Sequence, residues 1–533
     1  MQGSAYEFKI YTHYHFPTLR EKKSIYVDKT QIIYRMVMPQ AETAYFLSRP
    51  RRFGKSLLVT TLEAYFEGRK ELFDGLAMEK LEQDWTQYPV LRFDLSAIKF
   101  TSPDDLQQLL NDLLEQYESL YEITSNPDKL PGLRLKELIR RAKAATGQNV
   151  VVLIDEYDAP LLDTIVDEEN FAKIRTALRS FYSPLKESGA HLRFVFLTGI
   201  TKFSQLSIFS ELNHLKTISM DDRYGTICGI SEAEIREYLR PEVESLAEKH
   251  GLDFEEAMSK LKEKYDGYHF TKNCPDIYNP YSLLNCLEEQ ELNNYWFSSA
   301  TPTHLTEMVS NYIVKPEELE GFYATLRTFD APSETAETPI PILYQSGYLT
   351  IKDYEDGEYI LGFPNEEVRQ GFLEGLMPYY SHLGSEENSV LVRNLTRFMK
   401  QGEVDQAMLA LRSYFSSVPY NAQKQDEHHY KTMFYFIFSL ATAFNVRTEE
   451  HTAAGRTDFV LETKDAVYVF EFKLHGTSEQ ALQQIEEKGY AIPYENGPKK
   501  LYKIGACFDE ELRTLKDWIV VGCPDTTLSS PSS

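Results

Sequence analysis

Three short stretches of the chain hold residue types at spacings that chemistry can use. The first, Arg49-Pro-Arg-Arg-Phe-Gly54-Lys55-Ser56, follows the apolar run AYFLS and precedes the helical LLVTTLEAYF. It has the length of a Walker A loop, G-x-x-x-x-G-K-[ST], with Arg49 at the first glycine position. In such a loop the backbone N–H groups around Arg52, Phe53 and Gly54, and the helix N-terminus behind them, point at phosphates. Lys55 would reach the β- and γ-phosphates of ATP, and the Ser56 hydroxyl would ligate Mg²⁺. A residue with a Cβ at Arg49 is costly if that turn needs a left-handed backbone.

The second stretch is VVVLIDEYD (150–158), a β-branched and aliphatic run closing on Asp155-Glu156. A buried parallel strand ending in acid is the Walker B arrangement. Asp155 would hold magnesium opposite Ser56, and Glu156 would orient and polarise the water that attacks in line. The following strand, RFVFLTG, ends at Thr198, whose hydroxyl reads either as a γ-phosphate sensor or as a cap on the strand end. Arg223, in DDRYG, is a candidate arginine finger.

The third stretch joins GRTDFVLE (455–462) to VFEFKL (469–474), setting Asp458, Glu471 and Lys473 as D-x12-E-x-K. Two adjacent antiparallel strands would bring the acids side by side, and residues two apart on a strand share a face. Paired carboxylates bind one or two Mg²⁺ ions that activate water at a scissile phosphate, while Lys473 positions the nucleophile. Glu427, opening the helix HHYKTMFYFIF, is an accessory acid for the same metal.

Residues 1–230 resemble the AAA-ATPase-like family with the RPRRFGKS loop, which also shows YVDKT (26–30), YDGYHF (265–270) and YNPYSLL (278–284). The resemblance implies that Arg49 is normal for the family. It also implies a helical lid after residue 230, a winged-helix-like unit around LYQSGYLTIK (343–352), and the oligomerisation common among AAA-type ATPases. Physically, Tyr26-Val27 could pack beside a base. Residues 426–523 resemble the PD-(D/E)XK nuclease-like domain commonly fused to these ATPases, and Gln484 resembles the glutamine that follows the E-x-K strand in some of them. The tyrosine often seen four residues beyond that glutamine is replaced by Lys488, with Tyr490 displaced.

The elements that must position these residues are legible as patterns. Short apolar runs at 44–48, 90–96, 150–155 and 193–199 alternate with helical stretches, which predicts a parallel sheet with crossover helices. VLRFDLS lies between the two motif strands along the chain, an order that fits the ATPase class with a strand between them. YLTIKDYEDGEYILGF (348–363) reads as a hairpin turning at Asp356-Gly357. The expected organisation is α/β throughout: a P-loop NTPase core (1–230), a helical lid (231–335), a winged-helix-like and helical connector (336–425), a restriction-endonuclease-like domain (426–523) and a disordered tail (524–533).

Composition bounds the function. At 533 residues, with 42% hydrophobic and 26% charged residues, the chain reads as several soluble domains. It has no apolar run of membrane-spanning length. Five scattered cysteines, none in C-x-x-C spacing, fit a reducing cytoplasm and neither a disulfide framework nor a zinc knuckle. A net charge of −25 restricts nucleic-acid contact to a local basic groove. The best basic patch, with Arg134, Lys136, Arg140, Arg141 and Lys143, reads more simply as the solvated face of an amphipathic helix. The leading expectation is an ATPase whose nucleotide state gates a magnesium nuclease. The alternatives are a regulatory ATP switch with a non-cleaving, nucleic-acid- or partner-binding C-terminal domain, and an interaction module with both sites vestigial.

Overall fold

In the computed structural model the described residues are 14–38, 41–202, 215–297, 312, 314, 316–332, 336–417, 427–441, 445–452, 455–509 and 514–522. Of these, the side chains of 427–431, 445–452 and 455–457 are left undescribed, and the expected tail at 524–533 lies outside the set. The chain divides into two compact units, Met1–Val314 with Leu319–Arg369, and Lys315–Glu318 with Gln370–Ser533. The division falls inside the 336–425 stretch.

The first unit is built on a five-stranded parallel sheet of β1 (Ala44–Ser48), β2 (Val90–Asp94), β3 (Val150–Asp155), β4 (Leu192–Gly199) and β5 (Lys216–Thr217), in the order β2-β3-β4-β1-β5. Helices cover both faces, so β3 can be apolar at every position up to its terminal acid, and all six of its residues are buried. The strand lying between the two motif strands is β4. VLRFDLS instead forms β2, on the far side of β3, because the crossover through helix Pro131–Thr146 returns the chain beside β2 before it moves inward. Parallel pairing therefore brings the C-terminal ends of β1, β3 and β4 to one edge, where ligands of α/β sheets bind.

Beyond the sheet, helices Arg240–His250, Phe254–Tyr265 and Pro280–Glu289 form a second core around Val243, Leu246, Leu261 and Leu283. The short strands β6 (Ile230–Ser231) and β7 (Ile277–Tyr278) pair beside it. β8 (Phe322–Ala324), β9 (Thr350–Glu355) and β10 (Glu358–Gly362) make a three-stranded antiparallel sheet, with the expected hairpin turn at Asp356-Gly357 between β9 and β10.

The second unit holds a mixed sheet, β11 (Asn445–Thr452), β12 (Gly455–Glu462), β13 (Ala466–Lys473), β14 (Lys500–Asp509) and β15 (Thr514–Gly522), in sequential order. Only β13 and β14 run parallel, joined through helix Ser478–Glu487. Phe434, on helix Glu427–Leu440, packs its ring 4.4 Å from Phe472 and 6.3 Å from Phe459, covering one face. Tyr490 is buried in the small core that this connection forms with Val467, Val469 and Ile485.

Asp266, in the YDGYHF turn, is buried, and its Oδ1 lacks a hydrogen-bond partner. Burial pushes its carboxyl up to about 7, with the exposed Lys262 ammonium 3.9 Å away as a partial offset. The folded protein thus holds this proton more tightly than the unfolded chain. The stability linked to it is complete below the unfolded value of about 4 and is lost as pH rises through about 7. Asp266→Asn should remove that loss, so its advantage over the wild type should grow by about 1–3 kcal/mol between pH 5 and pH 8. Denaturant melts at the two pH values check this, and parallel curves for the two proteins would refute it.

Candidate nucleotide and metal sites

Between β1 and helix Lys55–Phe66 the loop turns on two left-handed residues, Arg52 (φ 68°) and Gly54 (φ 88°), the latter the N-cap of the helix. A left-handed arginine is strained backbone, of the kind that accumulates at ligand clamps. Lys55 is buried, and its Nζ donates to the carbonyls of Arg49 (3.2 Å) and Pro50 (3.3 Å) and lies 3.1 Å from Glu156 Oε1. Ser56 donates to the Asp155 carboxylate across the gap between loop and strand. Burial first, and the Glu156 carboxylate second, raise Asp155 well above the usual carboxylate range. A hydroxyl and a buried carboxylate already facing one another form a donor pair suited to a hard divalent cation.

The flanking side chains divide their work. Arg49 is buried, donating from Nη1 to the carbonyls of Ser48 (2.9 Å) and Ser219 (2.7 Å) and from Nη2 to that of Tyr224 (3.4 Å), with its guanidinium 4.2 Å over the Phe270 ring. It braces the loop from behind. Phe53 is buried edge-on to Tyr268 and Phe270, and Arg52 stacks over Tyr281 while donating to the carbonyls of Tyr295 and Trp296. Both side chains point into the protein, so only their backbone is available to a phosphate. Thr198 is buried at the end of β4, and its Oγ1 has no hydrogen-bond partner. Arg223 is exposed and paired with Asp221 at 2.5 Å.

Sequence reasoning passed over Asp158. It is fully buried and accepts from Ile200 N (3.0 Å), Thr201 N (2.6 Å) and Thr201 Oγ1 (2.6 Å), fastening the chain after β3 to the chain after β4. The acid was visible in DEYD, but its partners lie more than forty residues away. A cavity of about 100 Å³ adjoins Gly54, walled by Tyr26, Val27, Lys29, Leu57 and Cys228. The YVDKT stretch thereby lies beside the loop. Lys29 is buried there, bound to Glu234 at 2.5 and 2.7 Å, and burial lowers its pKa despite that partner.

In the second unit, β12 and β13 pair with Phe459 opposite Phe470 and Val460 opposite Val469. Continuing that register by one residue sets Asp458 opposite Glu471, and Asp458 Oδ2 accepts from the backbone N–H of Phe472 at 3.0 Å. Lys473 Nζ lies 3.4 Å from Glu471 Oε1 and donates to Gln484 Oε1 at 2.5 Å, while Gln484 Nε2 donates to Glu471. The structure thus brings Asp458, Glu471, Lys473 and Gln484 together. The Glu427 side chain lies outside the described residues, and among those described no group of three or more His, Cys, Asp or Glu is set to hold a metal. Asp458 and Glu471 offer two of the oxygen donors that Mg²⁺ needs.

The basic helix Pro131–Thr146 is no open groove. Arg134 is buried against Glu118, Lys136 pairs with Glu187, Arg140 and Arg141 pair with Glu137, and Lys143 donates to the Ala190 carbonyl.

Residues 11–209 match the family model of the predicted AAA-ATPases, and residues 425–518 that of the PD-(D/E)XK nuclease superfamily. Over 523 residues, 95% of this chain and 97% of the other, it is 34% identical to the uncharacterized protein in the vnfD 5′ region of Azotobacter chroococcum. No solved structure matches it. The chain belongs to the AAA-ATPase-like family and carries a C-terminal PD-(D/E)XK nuclease superfamily domain. Membership supports ATP binding and nuclease-like function in general terms. No helix among the described residues is long and apolar enough to cross a membrane.

The knot after β3 leaves no room at Gly199, where an added Cβ would meet Asp158 Oδ1 at 2.3 Å and the Tyr157 ring at 2.6 Å. Gly199→Ala should therefore destabilise the protein by about 2–4 kcal/mol, read as a lower denaturation midpoint. An unchanged midpoint would show that the knot is not packed this way.

Proposed function

We propose that this protein binds and hydrolyses ATP at the loop 49–56, and that the nucleotide state gates a magnesium-dependent nuclease site at Asp458, Glu471 and Lys473. The convergence of Lys55, Ser56, Asp155 and Glu156 at one sheet edge, beside a cavity sized for a base, carries the reading. The backbone N–H groups of the loop and the N-terminus of helix Lys55–Phe66 face the phosphates, with Tyr26 and Val27 against the base. When the γ-phosphate draws Lys55 away, Glu156 loses its ammonium partner and is freed to hold the water that attacks the γ-phosphorus. The bond to the bridging oxygen breaks, and ADP leaves with inorganic phosphate. Thr198 Oγ1, buried without a partner, supplies a donor to the γ-phosphate. Ser56 and Asp155 would hold Mg²⁺, which offsets the charge gathered on the phosphates.

At the second site Asp458 and Glu471 would hold the metal, whose charge activates water and stabilises the scissile phosphate. Gln484 fixes the Lys473 ammonium next to Glu471, and that ammonium orients the nucleophile. A second reading, a non-cleaving domain that binds nucleic acid or a partner, is favoured by Glu471 being already engaged by Lys473 and Gln484.

Two measurements test the proposal. Lys55→Ala should abolish the rise in melting temperature that Mg-ATP gives the wild type, and a surviving shift would refute the phosphate loop. Asp458→Ala and Glu471→Ala should each lower metal-supplemented cleavage of DNA or RNA by at least about 100-fold while leaving ATP turnover intact. Wild-type protein that cleaves neither polymer in any strandedness, with or without ATP, would select the second reading.

A further inference from the structure

The acid most thoroughly tied into the nucleotide site is one the reaction does not use directly. Asp158 is fully buried, three residues beyond Asp155, and the three groups that donate to it, Ile200 N, Thr201 N and Thr201 Oγ1, are all neutral. Tyr157 repeats the link from the same turn: its N–H donates to the Thr198 carbonyl (3.0 Å) and its hydroxyl to the Thr201 carbonyl (2.9 Å). The residue held at the head of this turn is Glu156, in the left-handed region at φ 49°. A non-glycine residue there costs about 1–3 kcal/mol and persists only where its surroundings over-determine it. The surroundings on the C-terminal side are these links. They also fix the end of β4, where the Thr198 hydroxyl is buried with no hydrogen-bond partner.

We propose that Asp158 is a positioning residue for ATP hydrolysis, its carboxylate lashing the turn after β3 to the loop after β4 so that Glu156 and Thr198 address the same γ-phosphate. The inference rests on the ATPase reading above. Asp158 acts by keeping Glu156 in its strained conformation and β4 in register with it. The same loop continues outward. Lys202 N donates to Gln345 Oε1 (2.9 Å), and Lys202 Nζ binds Asp330, so the residue that follows Thr201 is held as well. A buried carboxylate facing three neutral donors contributes little to stability in itself, because desolvation offsets most of what its hydrogen bonds return. What its hydrogen bonds supply is therefore orientation more than folding energy.

The test uses the full-length protein and compares Asp158→Asn, Thr201→Val and Thr201→Ser by ATP affinity, kcat for ATP and melting temperature. Asp158→Asn should lower kcat by at least about tenfold while the Kd for ATP stays within about threefold of the wild type. Thr201→Val, which removes one donor and keeps the shape, should lower kcat by about three- to tenfold, and Thr201→Ser, which restores the hydroxyl, should recover most of it. Turnover by Asp158→Asn within twofold of the wild type would overturn the inference while leaving the ATPase reading standing, and so would a proportional loss of affinity, turnover and melting temperature. Wild-type protein that binds ATP but does not hydrolyse it would overturn the inference together with the hydrolysis half of that reading, and binding that survives Lys55→Ala would overturn the site itself.

Discussion

A buried ammonium sets the terms for the nucleotide site. Lys55 has almost no contact with water, so its charge must be answered from within the protein, and two backbone carbonyls and one carboxylate answer it. Those partners come from the two ends of the site, the loop after β1 and the turn after β3. The parallel sheet, with β4 inserted between those strands, holds them at the distance of one side chain. Ser56, Asp155 and the base cavity take their places relative to this lysine. On the proposed reading a polyphosphate would answer the same charge, and replacing Glu156 by phosphate would leave that acid free for chemistry.

Much of this was legible in the sequence, for reasons that differ by element. β3 could be read because a strand buried on both faces must be apolar throughout, and the loop could be read because a G-K-S after such a strand has few other uses. The D-x12-E-x-K spacing was enough to set Asp458 opposite Glu471, since antiparallel register is fixed once the turn length is known. Gln484 reached its acid and lysine although the tyrosine expected beyond it is displaced, because Tyr490 serves the core instead. The position of VLRFDLS was not legible. Chain order does not determine strand order in a doubly wound sheet, and β2 pairs at the outer side of β3. Asp158 was equally hidden, since its hydrogen bonds span forty-two and forty-three residues and no local spacing encodes them. Strands β11 and β15, which close the second sheet at its two edges, carried no motif to announce them.

The acidity of the chain and its nuclease-like domain are reconciled only in part. In the densest run of cations Arg134 is buried against Glu118, while Lys136, Arg140 and Arg141 stay exposed and pair with surface carboxylates. Beside Asp458 and Glu471 stands the Lys473 ammonium, which Gln484 holds close to the acids.

Arg49 bears on how such proteins should be altered. A designer repairing the loop toward its glycine-first consensus would replace this residue first. Here the arginine is a mortise pin: three carbonyls from three places in the chain and one aromatic face converge on its guanidinium. Restoring glycine would withdraw the pin and leave those carbonyls facing a void, so a change that improves the match on paper would loosen the joint between the loop and the strand behind it. In this chain the departure from consensus has become part of the carpentry, and grafting the loop into another scaffold would require carrying its socket along.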